Sequence, residues 1–403
     1  MAILVQKFGG SSLADGEKIR RAAELSLSAV RQGFQVVVVV SAQGDLTDRL
    51  LAQAGELSSS PSPRELDQLL STGEQMSAAL FAMALEELGA PAVSLTGWQA
   101  GILTGKSHQN ASVQGVYPGR ILAELNRGKI AVVAGFQGIS AAGEVTTLGR
   151  GGSDTTAVAL TAALKGEQCR IYTDVDGVYT ADPRLVPAAR KIKAIGYDDM
   201  LALAKAGAQV LHSRSVELAQ KESVEVEVLS SQTGAPGTKL AAGCPPVAAA
   251  AREEKSALVE IQGLPDRPGT VFQIFSLLEA KGIEVDAITQ SSVQQNCRKV
   301  AFSIGEGRLA AAKSLLESAG RELGYQALSV SGGLSKITLL GEGGAEMALS
   351  FGKKGIPVLL FSQAKRRSCA LVPREDSVAA LEAVHRDFLT GEVPQGELSA
   401  VQS

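Results

Sequence analysis

Five consecutive valines, Val36 to Val40, restrict the fold of this chain more than any other stretch. β-Branched residues favour extended backbone. A run without polar alternation suits a parallel strand covered on both faces rather than a half-exposed one. The pattern recurs along the first half of the chain. ILVQ near the N-terminus breaks into KFGGSS, VVVVV into SAQGD, and PAVSL at Pro91, IAVVAGF at Ile130 and CRIYTD at Cys169 each run into polar or glycine-rich sequence. Helical stretches intervene, from about Glu17 to Gln32 and from Arg64 to Leu88. In the second, Leu66, Leu69, Leu70, Leu80, Met83 and Leu88 carry the apolar periodicity, and Gly73 and Glu74 interrupt it. Such alternation predicts a largely parallel α/β sheet sandwich whose ligand crevice lies at the carboxyl ends of the strands.

The residues that follow those strands are the candidate chemistry. Thr146 to Ala157, TTLGRGGSDTTA, gathers an Arg, an Asp and several glycines where a helix begins. Gly149, Gly151 and Gly152 permit unusual backbone angles and close approach to an anion. Ser153 or Asp154 can cap the apolar run AVALTAAL. The segment is neither a Walker A loop nor a dinucleotide fingerprint, and an ordinary tight turn is the alternative reading. Lys7 precedes Gly9 and Gly10, where a cation could reach a phosphate held by backbone amides, or could simply be solvated. Ser41 and Thr47 flank the turn after the valine strand and can donate to a carboxylate or merely shape the turn. Glu74 is either a site carboxylate or a solvated one. TDVDGVYTADPR places Asp174, Asp176, Asp182 and Arg184 behind a strand. It is no EF-hand, because the bidentate Glu is missing and Pro183 intrudes.

Composition narrows the partners. With 403 residues, 45% hydrophobic and 20% charged, the chain is long enough for two or three domains. A net charge of −3 without a long basic run lacks the footprint of a nucleic-acid binder. Cys169, Cys244, Cys297 and Cys369 lie too far apart for a C-x-x-C metal pair and form no recognisable disulfide framework, which points to a cytoplasmic protein. No signal peptide is evident, and no apolar run approaches the ~18 residues needed to span a bilayer, so neither membrane nor nucleic acid is expected as a partner.

Near Ser230 the composition shifts to Gly, Pro, Ala and Ser, which sets a domain at 1–240 and a linker at 241–256. Beyond it lies a weak repeat. ALVEIQG at Ala257 matches SKITLLG at Ser335, EAKGIEV at Glu279 matches GKKGIPV at Gly352, and CRKVAFSI at Cys297 matches RRSCALVP at Arg366. Each copy reads as a small α+β unit of βαββαβ type, at 257–334 and 335–392, with a flexible tail at 393–403. Gly263 to Gly282 spans 19 positions while the matching Gly341 to Gly355 spans 14, so the second copy lacks the LPDRPGT loop of the first.

Taken together, KFGGSS, SAQGDLTD, GEQMS, LTGWQAG, GRGGSDTTA and YTDVDGVYTADPR, in this order, closely resemble the aspartate kinases of the amino acid kinase superfamily. The resemblance covers Met1 to about Leu240, and the repeats resemble that family's tandem ACT regulatory domains. GEQ with LTGWQAG looks most like a lysine-responsive bacterial branch. The resemblance implies transfer of the ATP γ-phosphate to the β-carboxylate of L-aspartate, the first step toward diaminopimelate, lysine, threonine and methionine. It implies Lys7 on the transferring phosphoryl group with Asp154 orienting it, and Ser41, Thr47, Glu74, Arg150, Gly151 and Ser153 on aspartate. Lys7, Gly9, Gly10, Ser11, Thr173, Asp174, Tyr179, Asp182 and Arg184 would hold the nucleotide. Magnesium would arrive with ATP rather than in a protein-ligated site. Some members carry a Lys where this chain has Gln209.

No histidine is assigned to catalysis, because a carboxylate with a reference pKa of about 4 is already a nucleophile at neutral pH. Asp266, Pro268, Gly269 and Gln290 match the family's effector positions in the first ACT unit, and lysine or threonine is the expected effector. The second unit departs from the family pattern at LFSQAKRRS, so inhibition is expected to be weakened or altered in geometry. Homo-oligomers through the kinase and ACT domains are expected. The alternatives are a kinase for glutamate, N-acetylglutamate or carbamate, and a catalytically idle amino-acid sensor.

Overall fold

The chain is seen in a computed structural model that describes residues 1–208 and 210–389. Gln209 and the expected tail at 393–403 lie outside the described residues. The N-terminal half begins with β1 (Ile3–Phe8), α1 (Gly16–Arg31) and β2 (Gln35–Val40), followed by α2 (Leu46–Leu57), α3 (Pro63–Glu87) and β3 (Ala92–Leu95). Then come β4 (Ile102–Thr104), β5 (Val113–Val116), α4 (Gly119–Leu125), β6 (Ile130–Ala134), β7 (Gln137–Ser140), β8 (Val145–Thr147), α5 (Gly152–Leu164) and β9 (Gln168–Thr173). The half closes with β10 (Val178–Tyr179), β11 (Lys191–Ile192), β12 (Ala194–Ile195), α6 (Tyr197–Lys205), α7 (Ser213–Lys221), β13 (Val226–Ser230) and β14 (Thr238–Leu240).

Eight of these strands form one sheet in the order β12-β14-β13-β9-β1-β2-β6-β3, parallel except where β13 meets β14. The valine strand lies inside it between β1 and β6, as its doubly buried pattern requires. Val37 and Val39 pack toward α5, while Val36, Val38 and Val40 pack toward α1 and α3. A second sheet, β5-β4-β7-β8, delivers the chain into α5.

α3 is the single helix expected from Arg64 to Leu88, and it runs unbroken through Gly73 and Glu74 where the apolar pattern lapses. One interior glycine costs a helix only about 1 kcal/mol, which packing along a long helix outweighs. Its buried face is Leu66, Asp67, Leu70, Ser71, Glu74, Ser77, Ala78, Phe81 and Leu85, whereas Leu80 and Met83 are exposed. Polar residues occupy the inner face because part of it lines the strand ends. Neither Ser153 nor Asp154 caps α5. The cap is Gly151, left-handed at φ 68°, which puts both residues in the first turn.

The C-terminal half is β15 (Ala249–Pro265), α8 (Thr270–Ala280), β16 (Val285–Gln290), β17 (Cys297–Gly305), α9 (Leu309–Leu323), β18 (Ala327–Leu340), α10 (Gly344–Lys353), β19 (Leu360–Ala364), β20 (Arg367–Pro373) and α11 (Ser377–Phe388). All its strands join one sheet, β16-β17-β15-β18-β20-β19. The expected linker at 241–256 is therefore strand from Ala249 onward. Residues Ala249–Glu253 pair with Leu340–Lys336, so the fourth strand of the second unit comes from before the first unit. The units interlock. An ion cluster built on the buried Lys336 fastens the seam, with Lys336 Nζ 2.6 Å from both Glu253 and Asp286, and Arg367 also on Asp286.

Candidate active site at the strand ends

Period-two geometry puts Lys7 on the same face of β1 as Val5, which packs with Ala157, Val158 and Leu160 of α5. Lys7 thus emerges beneath the first turn of α5, where its Nζ lies 2.5 Å from Asp154 Oδ1. Both residues are less than a tenth exposed. A buried pair must offset a large desolvation cost, so stability alone is a poor reason to keep it. It fixes the direction of a cation at the end of the sheet, and the cation is the useful part.

On the opposite face, α3 carries Glu74 to the β2 end. Glu74 is 4% exposed, its Oε1 accepts a hydrogen bond from Ala42 N at 3.0 Å, and its Oε2 is buried without a partner. Burial pushes its pKa up to about 8, against the opposing pull of the Ala42 amide. An unpaired buried carboxylate oxygen is costly unless something cationic meets it. Ser41 follows β2 and Thr47 lies in the first turn of α2, both half-buried.

Arg150 stands exposed between β8 and α5, Gly151 follows it, and Ser153 is buried in the first helical turn. Gly151 is obligatory on two counts. Its φ is 68°, and a Cβ there would lie 2.2 Å from His212 Cβ. His212 was given no role from the sequence. Its ring covers this turn, and burial lowers its pKa.

Gly9, Gly10 and Ser11 turn the chain beside β9, Gly9 N donating to Tyr172 O at 3.3 Å. Thr173 ends β9, next to Asp174. Tyr179 and Asp182 are half-buried and Arg184 exposed beyond it. Tyr179 gives its hydroxyl to Asp176 at 2.8 Å, and Arg184 pairs with Asp182 at 2.8 Å. These last contacts hold Asp182 and Arg184 to each other rather than to the Lys7 centre. Among the described residues no group of three or more His, Cys, Asp and Glu side chains is arranged to hold a metal ion.

The candidate effector residues gather elsewhere. Gly269 caps α8 in left-handed conformation at φ 88°, after Pro268, while Asp266 and Gln290 are joined through Arg298, whose Nη1 donates to Gln290 at 3.0 Å.

Sequence reasoning passed over Asp67. It is fully buried and accepts hydrogen bonds from Thr147, Gln109 and His108. The signal was present: Asp67 and Glu74 are seven residues apart, two helical turns, so a helix facing the sheet with Glu74 must also present Asp67.

Comparison with known proteins follows the same division of the chain. A family model described as the amino acid kinase family matches residues 2–230, and an ACT domain model matches residues 257–321. An aspartokinase from Bacillus sp. (strain MGA3) is 42% identical over 98% of this chain and 100% of its own length. One from Geobacillus stearothermophilus is 43% identical over the full length of both. Among solved structures, E. coli aspartokinase III in complex with aspartate and ADP (R-state) superposes with a TM-score of 0.81 at 27% identity, covering 96% of this chain and 99% of that one. The same enzyme in complex with lysine and aspartate (T-state) gives 0.72 at 27% identity with the same coverage.

Proposed function

The chain belongs to the aspartokinase family and is an ATP-dependent aspartate kinase, and we propose that the crevice between Lys7, Asp154, Glu74 and Arg150 is where phosphoryl transfer occurs. The observation that carries this placement is the presence of two buried ionisable groups at neighbouring strand ends. One is a cation aimed by Asp154, and the other is a Glu74 oxygen without a partner.

The roles follow from charge and geometry. The α-ammonium of aspartate meets Glu74 Oε2, satisfying the orphaned acceptor and restoring the ionised form that burial disfavours. Arg150 grips a substrate carboxylate through its planar fork, and Ser41, Thr47, Gly151 and Ser153 complete the cradle with hydroxyls and an amide. The β-carboxylate is then free to attack. It needs no general base, because it is ionised at neutral pH. Repulsion between this anion and the γ-phosphate is the barrier to be lowered. Lys7 lies where it can neutralise the transferring group, and its ammonium needs no reorganisation because Asp154 already holds it.

Gly9, Gly10, Ser11, Thr173, Asp174, Tyr179, Asp182 and Arg184 form the nucleotide side. Magnesium enters as part of the substrate, on the phosphates of ATP, and reduces their charge. The E. coli relative binds ADP and aspartate together, which supports one crevice for both. That relative also binds lysine, and we place lysine or threonine as effector at Asp266, Pro268, Gly269 and Gln290. No described helix is long and apolar enough to cross a membrane. A cytoplasmic location and a homo-oligomeric state belong to this proposal. Trapping the acyl phosphate with hydroxylamine, in the presence of ATP, magnesium and a panel of acidic amino acids, tests the reading. Hydroxamate should form with L-aspartate, and its formation with glutamate or N-acetylglutamate instead would overturn the assignment.

A further inference from the structure

We propose that Asp67 is a positioning residue for aspartate, tying the helix that carries Glu74 to the loop that carries Arg150. This rests on the reading of Arg150 as the aspartate clamp. Asp67 is 0% exposed and lies on α3, seven residues before Glu74, yet it faces the end of β8 rather than the strand ends of β1 and β2. A buried carboxylate persists only where donors compensate its lost hydration, and three residues do so here. Thr147 Oγ1 donates to Oδ1 at 2.6 Å, Gln109 N lies 3.1 Å from both oxygens, and His108 Nδ1 is 2.7 Å from Oδ2.

These donors belong to the two segments that shape the turn before Arg150. Thr147 ends β8, three residues ahead of Arg150. Residues 108–111 form the wall beside it: Ala111 N donates to Thr147 O at 2.9 Å, and a Cβ on Gly149, whose φ is 75°, would meet Gln109 O at 2.9 Å. Arg150 itself is exposed, so its aim depends on how firmly this turn is held. Asp67 supplies that hold from the face of α3 on which Glu74 also sits, two turns away. The two groups proposed to grip the amino acid, one for its ammonium and one for its carboxylate, are thereby set at a fixed separation. Nothing in the Asp67 network reaches Thr173–Arg184, so the nucleotide side is independent of it.

The experiment compares Asp67→Asn, Thr147→Val and Thr147→Ser with Arg150→Lys, measuring KM for aspartate, KM for ATP, kcat and thermal stability of the full chain. Loss of the Thr147 hydroxyl in T147V should raise KM for aspartate about tenfold, as displacement of a substrate clamp does. KM for ATP should stay within about twofold and T147S should restore the wild-type value. D67N, which turns one acceptor into a donor facing other donors, should do the same or more. If T147V lowers thermal stability but leaves KM for aspartate unchanged, or raises both KM values together, the role is merely structural and the proposal fails. T147V decides the matter even if D67N does not fold. Should R150K also leave aspartate use unchanged, the reading of Arg150 fails and this inference with it; a defect in R150K without one in T147V overturns only the inference.

Discussion

Lys7 and Glu74 in the kinase half are less than a tenth exposed and are fixed by groups on other elements, whereas Asp266 and Gln290 in the regulatory half stand partly or fully in solvent, tied through Arg298. The difference concerns what a ligand must do on arrival. In the crevice, an unpaired Glu74 oxygen and an aimed Lys7 ammonium await a partner, so binding completes contacts already prepared. At the first ACT unit, an effector bound as proposed would have to take Asp266 and Gln290 from Arg298 before it gains anything. On the proposed reading, catalysis rests on preorganisation and regulation on exchange. Substitutions in the first region should therefore cost far more than those in the second.

The largest effect is expected at Lys7. Lys7→Ala should lower kcat by at least ~10³-fold, since on the proposed reading it removes the fixed charge at the transferring phosphoryl group. It also strands Asp154, 8% exposed, without its cation, so a stability loss of about 3 kcal/mol should accompany it. Pairing Lys7→Met with Asp154→Asn should recover much of the stability and none of the turnover. Denaturant unfolding and steady-state rates on the same preparations separate the two. Turnover within tenfold of wild type in either variant would remove Lys7 from the chemistry. Arg150→Lys should come next. An ammonium cannot reproduce a bidentate fork, so KM for aspartate should rise ~30-fold with KM for ATP little changed.

Glu74 gives a smaller effect with a definite pH signature. Its pKa is about 8 in the fold against 4.5 for the free side chain, because burial disfavours the charge. The folded state thus holds a proton that the unfolded chain has released, and stability contributed by the neutral form is present below about 4.5 and lost as pH rises through about 8. Without substrate the enzyme should soften across that window, and aspartate should reverse the trend by supplying an ammonium. For the same reason kcat/KM for aspartate should climb roughly tenfold from pH 7 to 9, with its midpoint near the Glu74 pKa and a plateau above it. Glu74→Gln should abolish that limb. A flat profile in the wild type would show that aspartate does not meet Glu74.

The same contrast decides what could be read from the chain. The valine run needed only its own residues to announce a central parallel strand, and the glycine-rich turn at Arg150 announced itself by composition. Asp154 was visible but misplaced as a cap, because the glycine at 151 takes the left-handed cap and puts Ser153 and Asp154 inside the first turn of the helix. Glu74 reads equally as a site carboxylate or a solvated one from the sequence, since its burial depends on β2 lying beside α3. The strand Ala249–Glu253 was least legible. Its alanines carry no strand signature, and its partner Lys336–Leu340 lies more than eighty residues away. Local pattern reveals elements and turns, while pairing across such distances is set by which unit needs a fourth strand.

The smallest effects should come from the regulatory half, and they test whether exchange at Arg298 is the step an effector must drive. Arg298→Met frees Asp266 and Gln290, so any lysine or threonine inhibition should strengthen by ~3-fold to 10-fold in effector concentration, the gain from deleting a competing ion pair at a partly exposed site. Asp266→Asn should weaken it by a similar factor. Neither change touches the crevice, so uninhibited turnover should hold. The second unit has no equivalent exchange to offer. Its shortened loop brings the start of α10 close onto its own sheet, where a Cβ on Gly344 would lie 2.3 Å from Ser368 Oγ. Inhibition should accordingly depend on the first unit alone and be shallow in a simple titration. Strong inhibition that persists in Asp266→Asn would place the effector elsewhere and dissolve the contrast between the two halves.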